Sequence, residues 1–306
     1  MDGQHEPSDP PTNGLTDHGA ILLTGGTTGI GLGTAQELVL LGFRKFILGY
    51  ATHDEHANVA KSNLEQNKGV KVVLVKVHLK ISRYFLLFSG DVSEKRTVEE
   101  IFKVVHEDFG GSLYAILHTA GVMPPINDEE PEKTFDAFTE LYPKAFWRLV
   151  ERGVPYMEKS PHGGRIVVLS NPGVNLMSSP RPGYLMAGCG KAALEYVTRH
   201  YALVLAPKRI TCNVVIPGIT KTKGWKEIDP TELAERRCPM KEVIQPEDVG
   251  AALAFLVSPK ARFITGAFLP VDGGLIIGYE LRSGVPLIEL RGSESYGEKQ
   301  SQSVSN

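Results

Sequence analysis

A glycine-rich turn separates an apolar run from a helical pattern near the beginning of the chain. The turn reads Thr-Gly-Gly-Thr-Thr-Gly-Ile-Gly over residues 24–31. It follows Ala20–Leu23, which predicts a strand, and it opens Ile30–Leu41, which predicts a helix. The N–H groups and dipole of a helix N-terminus favour an anion, and glycines let a phosphate approach the backbone. This context predicts a dinucleotide pyrophosphate site, with a purely structural turn as the alternative.

The rest of the chain alternates short apolar runs with longer helical patterns. This alternation predicts an α/β fold, a doubly wound parallel sheet of Rossmann type in a single domain. A chain of 306 residues that is 42% hydrophobic can bury a large core. Further strands are predicted at Lys45–Gly49, Val70–Lys76, Leu113–His118, Arg165–Ser170 and Asn213–Gly218. Further helices are predicted at His53–Lys68, Val98–Phe109, Glu132–Met157 (interrupted near Pro143) and Asp248–Leu256.

Several motifs follow the glycine turn in a characteristic order. They are Gly90-Asp91-Val92, His118-Thr119-Ala120-Gly121, Lys191-Ala192-Ala193-Leu194, the run Asn213–Gly218 with its Pro-Gly turn, and Asp272-Gly273-Gly274. With the Thr-Gly-x-x-x-Gly-x-Gly spacing, they resemble the short-chain dehydrogenase/reductase family over about residues 18–276. The domain is accordingly expected to span 19–276.

The resemblance implies an oxidoreductase that uses a nicotinamide dinucleotide. The residues that it assigns to the cofactor are Gly25, Thr27, Thr28, Gly29, Ile30, Gly31, Tyr50, Thr52, His53, Asp91, Val92, His118, Ala120, Gly121, Lys191, Pro217, Gly218, Ile219, Thr220 and Thr222. The polar stretch Thr220–Pro246 resembles the substrate lid that follows strand six in this family.

The end of the second strand favours NADP(H) over NAD(H). A carboxylate there would bind the ribose hydroxyls of NAD and repel a 2′-phosphate. This chain reads Gly-Tyr-Ala-Thr-His over residues 49–53, and its first acidic residue is Asp54. Hydroxyl groups and an imidazole suit a phosphate, although no arginine is present at this turn.

The catalytic residues are where the sequence departs from the family pattern. The family's chemistry uses a tyrosine four residues before the lysine, so that both lie on one helix face. Lys191 is present, but the position four residues earlier is Ala187. The nearest upstream tyrosine, Tyr184, is seven residues from Lys191, about 10.5 Å along a helix. Tyr184 is either a displaced acid or an aromatic residue that packs at a helix start.

The serine and asparagine of the family pattern are also displaced. Counted from Arg165, the family's serine position falls on Asn171, with Ser170 one residue earlier, and its asparagine falls near Tyr142. The candidate catalytic residues are therefore Ser170, Tyr184 and Lys191. Lysine also anchors the nicotinamide ribose in this family without doing chemistry.

Three functions remain open. The first is an NADP(H)-dependent oxidoreductase that uses Tyr184 or another proton donor. The second is a non-redox cyclase or isomerase, because Pro180–Tyr184 weakly resembles a loop of fungal indole-alkaloid reductases that double as Diels–Alderases. The third is a catalytically silent cofactor-binding protein. Pocket segments unlike the family's suggest a specialised small molecule of secondary metabolism as substrate.

Composition limits the classes of partner that this protein is expected to bind. A net charge of −2 gives no reason to expect a nucleic acid or an anionic membrane surface. The three cysteines suggest reduced thiols and a cytoplasmic location. His53 and His56 lack a third ligand, so no metal is expected. A homo-oligomer is possible.

Three segments do not belong to the predicted fold. Residues 1–18 are rich in Asp, Pro, Gly and Thr, and they predict a disordered tail. Residues 277–306 predict an extension that is largely disordered at its Ser/Gln/Glu-rich end. Val77–Ser89 separates strand three from the Gly-Asp-Val motif and carries an apolar Tyr84–Phe88 patch. This insertion suggests a gene-model artefact, with a membrane- or partner-binding loop as the alternative.

Overall fold

The computed structural model describes residues 15–51, 53–76, 95–121, 131–175, 179–180, 184–225 and 229–278. The insertion Val77–Ser89 and three predicted cofactor residues, Thr52, Asp91 and Val92, lie outside these ranges. The described part begins inside the segment predicted as a tail: Leu15–Asp17 form a 3₁₀ turn, and His18 is buried.

Seven parallel strands form a single sheet in the order β3-β2-β1-β4-β5-β6-β7, which confirms the predicted α/β class. The strands are β1 Ala20–Thr24, β2 Lys45–Tyr50, β3 Lys71–Lys76, β4 Leu113–His118, β5 Gly164–Leu169, β6 Ile210–Pro217 and β7 Phe268–Val271. The strand order reverses between β1 and β4. Ligands of such sheets bind beyond the carboxyl ends of the strands at this point.

Eight helices of the described part connect and flank these strands. They are α1 Gly29–Leu41, α2 Asp54–Glu65, α3 Lys95–Phe109, α4 Pro131–Thr139, α5 Ala145–Met157, α6 Leu185–Leu205, α7 Pro230–Arg237 and α8 Pro246–Val257. A π-helical turn, Glu140–Lys144, joins α4 to α5 where the sequence predicts an interruption. Pro143 lies in this turn, and because it has no N–H group it cannot make an ordinary helical hydrogen bond.

The central strands of the sheet are buried on both faces, so apolar residues predominate in them. In β1, Ala20 and Leu22 contribute to one hydrophobic core and Ile21 and Leu23 to the other, as the two-residue period of a strand requires. Helices α3 to α6 cover the first face, and α1, α2 and α8 cover the second. Within the described ranges, no helix has the length and apolar character that crossing a membrane needs.

Candidate active site

The glycine turn between β1 and α1 is built from backbone. Gly25 and Gly29 have φ angles of +69° and +51°, in the left-handed region that glycine adopts without strain. A Cβ atom on Gly31 would lie 2.2 Å from the carbonyl oxygen of Gly25. Thr28, in extended conformation before α1, makes no side-chain capping hydrogen bond to the helix. The turn therefore has the form of a pyrophosphate cradle at the helix N-terminus.

The predicted lid, which follows β6, approaches this turn at Thr222. Gly218 donates a backbone hydrogen bond to Val271 of β7, 2.9 Å away. Thr220 is buried and forms an isolated bridge with Ile244. The methyl group of Thr222 lies 3.4 Å from the position of a Cβ on Gly29. The structure thus brings Thr222, a predicted cofactor residue, to the glycine turn.

His118, at the end of β4, is a neutral residue that ties three elements together. Its Nε2 atom lies 3.1 Å from the carbonyl oxygen of Leu141, which can only accept, so Nε2 carries the proton. Its Nδ1 atom then accepts from the hydroxyl of Thr24, 2.9 Å away, and that hydroxyl accepts from the amide of Ala120. Burial, and then the neighbouring Lys191, lower the pKa of His118 to about 3.

Lys191 lies on α6, and its side chain reaches the end of β5. Its side chain is 3% exposed, and its ammonium donates to the carbonyl oxygen of Leu169 at 2.6 Å. The ammonium also lies 3.9 Å from the centroid of the Tyr142 ring. Burial lowers the pKa of Lys191 to about 7, although the nearby carboxyl of Glu195 acts in the opposite direction. The charged and neutral forms of Lys191 are therefore close in free energy near neutral pH.

Glu195 is a buried carboxyl that the sequence analysis did not single out. The hydroxyl of Ser170 donates to it, and the amide nitrogen of Asn175 lies 3.3 and 3.2 Å from its two oxygens. Burial raises the pKa of Glu195. Its position one helical turn after Lys191 was a usable signal, because residues four apart share a helix face.

The predicted acid and serine have distinct environments. Strand β5 ends at Leu169, so Ser170 lies just beyond it, fully buried, with its hydroxyl on Glu195, while Asn171 is half-buried. Tyr184 directly precedes α6, where its carbonyl accepts from the amide of Gly188 at 2.7 Å. Ala187 is fully buried. Catalytic roles for Ser170, Tyr184 and Lys191 remain predictions.

A small polar cluster lies where β2 and β3 end. Tyr50 and Lys76 are paired residues of the two strands, and both contact Asp54 at the start of α2. The Lys76 ammonium is 2.6 Å from the Asp54 carboxylate. The hydrogen bond from Lys76, followed by that from Tyr50, lowers the pKa of Asp54. His53, with φ +62°, is the N-cap residue that precedes this helix.

No three His, Cys, Asp or Glu side chains of the described part form a group that could hold a metal. The rings of His53 and His56 are 5.2 Å apart. Cys189, Cys212 and Cys238 are all free.

Comparison with known proteins identifies a family and several similar proteins. A family model described as enoyl-(acyl carrier protein) reductase matches residues 26–276. A hydroxynaphthalene reductase-like protein of Metarhizium acridum is 26% identical over 270 residues, covering 83% of this chain and 94% of that protein. D-beta-hydroxybutyrate dehydrogenase of Cupriavidus necator is 28% identical over 272 residues, covering 83% and 96%. A short-chain dehydrogenase from Burkholderia cenocepacia, solved with NADP, has 25% identity, coverage of 85% and 98%, and a TM-score of 0.73.

The fold and the family match define an oxidoreductase of Rossmann type. The chain belongs to the short-chain dehydrogenase/reductase family. It is an oxidoreductase of that family that acts on small molecules, and the family uses NAD(P)(H).

Proposed function

We propose that this protein is an NADP(H)-dependent reductase of C=N⁺ bonds in a specialised small molecule of secondary metabolism. One observation carries the proposal: α6 retains a buried Lys191, but a fully buried alanine stands one turn before it, at residue 187. The free cysteines support a reducing compartment such as the cytoplasm.

The missing phenol restricts the chemistry. Bound NADPH supplies a hydride, and reduction of a ketone also requires a proton for the oxygen that becomes charged. An iminium carbon needs no such proton, because the hydride neutralises its cation. A site without the family's tyrosine one helical turn before Lys191 therefore favours the iminium over the ketone, since general acid catalysis contributes about 10²–10⁴-fold.

We expect a cyclic iminium, such as protonated 2-methyl-1-pyrroline, to be reduced with a kcat/KM at least about tenfold above that of cyclopentanone. The measurement is NADPH oxidation at 340 nm, with product identification by mass spectrometry. Tyr184→Phe is expected to leave both rates within about twofold of the wild type, because Tyr184 lies two turns from Lys191 along α6.

Ordinary ketone turnover that Tyr184→Phe removes would identify Tyr184 as the acid and contradict this proposal. Conversion of a substrate to an isomer without oxidation of NADPH would instead favour a non-redox cyclase or isomerase.

The preference for NADP(H) is supported by the cluster at the ends of β2 and β3. Among the described residues of this cluster, Asp54 is the acidic side chain beside Tyr50. It is paired with Lys76, so the negative charge of Asp54 is compensated. A 2′-phosphate can compete for Lys76 and accept from the Tyr50 hydroxyl. The Burkholderia relative was solved with NADP, which agrees with this assignment.

Lys76→Met is expected to weaken NADPH binding by about tenfold and to leave NADH binding unchanged, because only NADPH carries the 2′-phosphate. The measurement is fluorescence titration with each cofactor. Lys71→Met is the matched control, since Lys71 begins the same strand and pairs with Asp108 at the opposite end of the sheet. Equal losses for NADPH and NADH, or no loss, would contradict a role in phosphate recognition.

A further inference from the structure

The side chain of Lys191 is enclosed between β5 and the π-helical turn Glu140–Lys144. On the strand side, its ammonium donates to the carbonyl oxygen of Leu169. On the opposite side lies the face of the Tyr142 ring, 3.9 Å from the ammonium to the ring centroid. Tyr142 is 1% exposed and Lys191 is 3% exposed, so water does not screen this cation–π contact. Such contacts are strongest where the cation is desolvated.

A glycine on α6 leaves room for this contact between Tyr142 and Lys191. A Cβ atom on Gly190 would lie 2.8 Å from the carbonyl oxygen of Phe138 and 3.0 Å from Cδ2 of Tyr142. Any larger residue at 190 would therefore push α4 and the Tyr142 ring away from α6. The π-helical turn also places the carbonyl of Leu141 on His118 and the ring of Tyr142 on Lys191. Two consecutive residues of this turn thus face the site.

We propose that Tyr142 is a positioning residue whose ring holds the Lys191 ammonium in its charged form at the back of the active site. Gly190 makes this possible by its missing side chain. The catalytic consequence depends on the proposed function: besides the N–H that donates to Leu169, a charged Lys191 has two further N–H donors, whereas the neutral amine has one.

At neutral pH, the contact with the Tyr142 ring has a large effect on the fraction of Lys191 that is charged. Burial lowers the pKa of Lys191 to about 7, so a modest stabilisation of the cation determines its charge at neutral pH. From its own helix, Glu195 favours the cation. From β4, His118 is neutral at this pH and carries no charge. The contact from β5 is the carbonyl of Leu169, which does not titrate.

The test measures the ionisation of Lys191 directly, in the protein without cofactor. The Nζ signal of ¹⁵N-lysine-labelled protein is followed from pH 5 to 10 and assigned by its loss in Lys191→Met. We expect the midpoint to fall by about one pH unit or more in Tyr142→Leu, a tenfold change in the protonation constant. In Tyr142→Phe, which keeps the ring, it should stay close to that of the wild type.

Tyr114→Leu is the matched control. Tyr114 is also a fully buried tyrosine, with the Arg165 guanidinium 5.4 Å from its ring centroid, but it contributes to the core on the opposite face of the sheet. Its replacement should destabilise the fold without moving the Lys191 midpoint. If Tyr142→Leu does not fold, phenylalanines with increasing numbers of ring fluorines at residue 142 preserve the volume and progressively weaken the cation–π contact. The midpoint should then fall with each fluorine.

An unchanged midpoint in Tyr142→Leu, or in the fluorinated series, would overturn the proposal. A fall in Tyr142→Phe as large as in Tyr142→Leu would also overturn it, because the hydroxyl and not the ring would then act on Lys191. These titrations need neither cofactor nor substrate. They can therefore contradict the role of Tyr142 while the reductase activity is found, and they can support that role while the activity is absent.

Discussion

Gly29→Val is expected to weaken the binding of both NADPH and NADH by about 100-fold or more. Gly29 is the first residue of α1, and a Cβ there would lie 3.4 Å from the methyl carbon of Thr222 and 3.6 Å from its Cβ. The valine side chain would therefore enter the space between the glycine turn and the lid, where the pyrophosphate is expected to lie. The measurement is fluorescence titration with each cofactor.

The matched control for this variant is Gly110→Val. Gly110 has φ +60°, close to the +51° of Gly29, and has open space around it in the turn after α3. Both variants force a β-branched residue into the left-handed region at a cost of about 1–2 kcal/mol. Only Gly29→Val should lose the cofactor. If Gly29→Val binds the cofactors with wild-type affinity, the glycine turn does not form the pyrophosphate site.

The sequence predicts the elements of this fold well because its signals are local. Each predicted strand overlaps an observed strand, and the helix predicted from Ile30 begins one residue earlier, at Gly29. Glycine and proline act through the backbone of their own neighbourhood, so the turn at residues 24–31 and the interruption at Pro143 are both found where they are expected.

The surroundings of Lys191 could not be predicted in the same way. The hydroxyl of Ser170 contacts Glu195, which lies 25 residues further along the chain, and Tyr142 contacts Lys191 across 49 positions. The contact between Tyr142 and Lys191 depends on how closely the π-helical turn approaches α6, which the absence of a side chain at Gly190 permits. Periodicity indicates which face of a helix is buried but not which residue of another helix it meets.

The burial of Ala187 changes what restoring a tyrosine at this position can achieve. Taken from the sequence, Ala187→Tyr would add a phenol to the face that carries Lys191. In the structure Ala187 is 0% exposed, and a phenol would have to displace packed neighbours. Overpacking of this kind costs about 1–3 kcal/mol, so a failure of Ala187→Tyr to gain ketone reductase activity would not argue against Lys191.

Lys191→Met is expected to remove a pH dependence of stability that the wild type shows above neutral pH. The pKa of Lys191 is about 7 in the folded protein, against 10.5 for the ordinary side chain. Below pH 7 both states bind the proton. Between about pH 7 and 10.5 only the unfolded chain binds it, so the free energy of unfolding rises with pH, by up to about 1.4 kcal/mol per pH unit.

The measurement is urea unfolding at pH values from 6 to 10, with the difference between wild type and Lys191→Met taken at each pH. Because the buried charge is costly only while Lys191 is protonated, methionine should stabilise most near pH 6, and its advantage should shrink as the pH rises. Lys103→Met, which changes an exposed lysine of α3, should give a curve parallel to that of the wild type. Parallel curves for Lys191→Met and the wild type would mean that Lys191 keeps its charge throughout this range, and that the contacts with Leu169, Tyr142 and Glu195 fully compensate its burial.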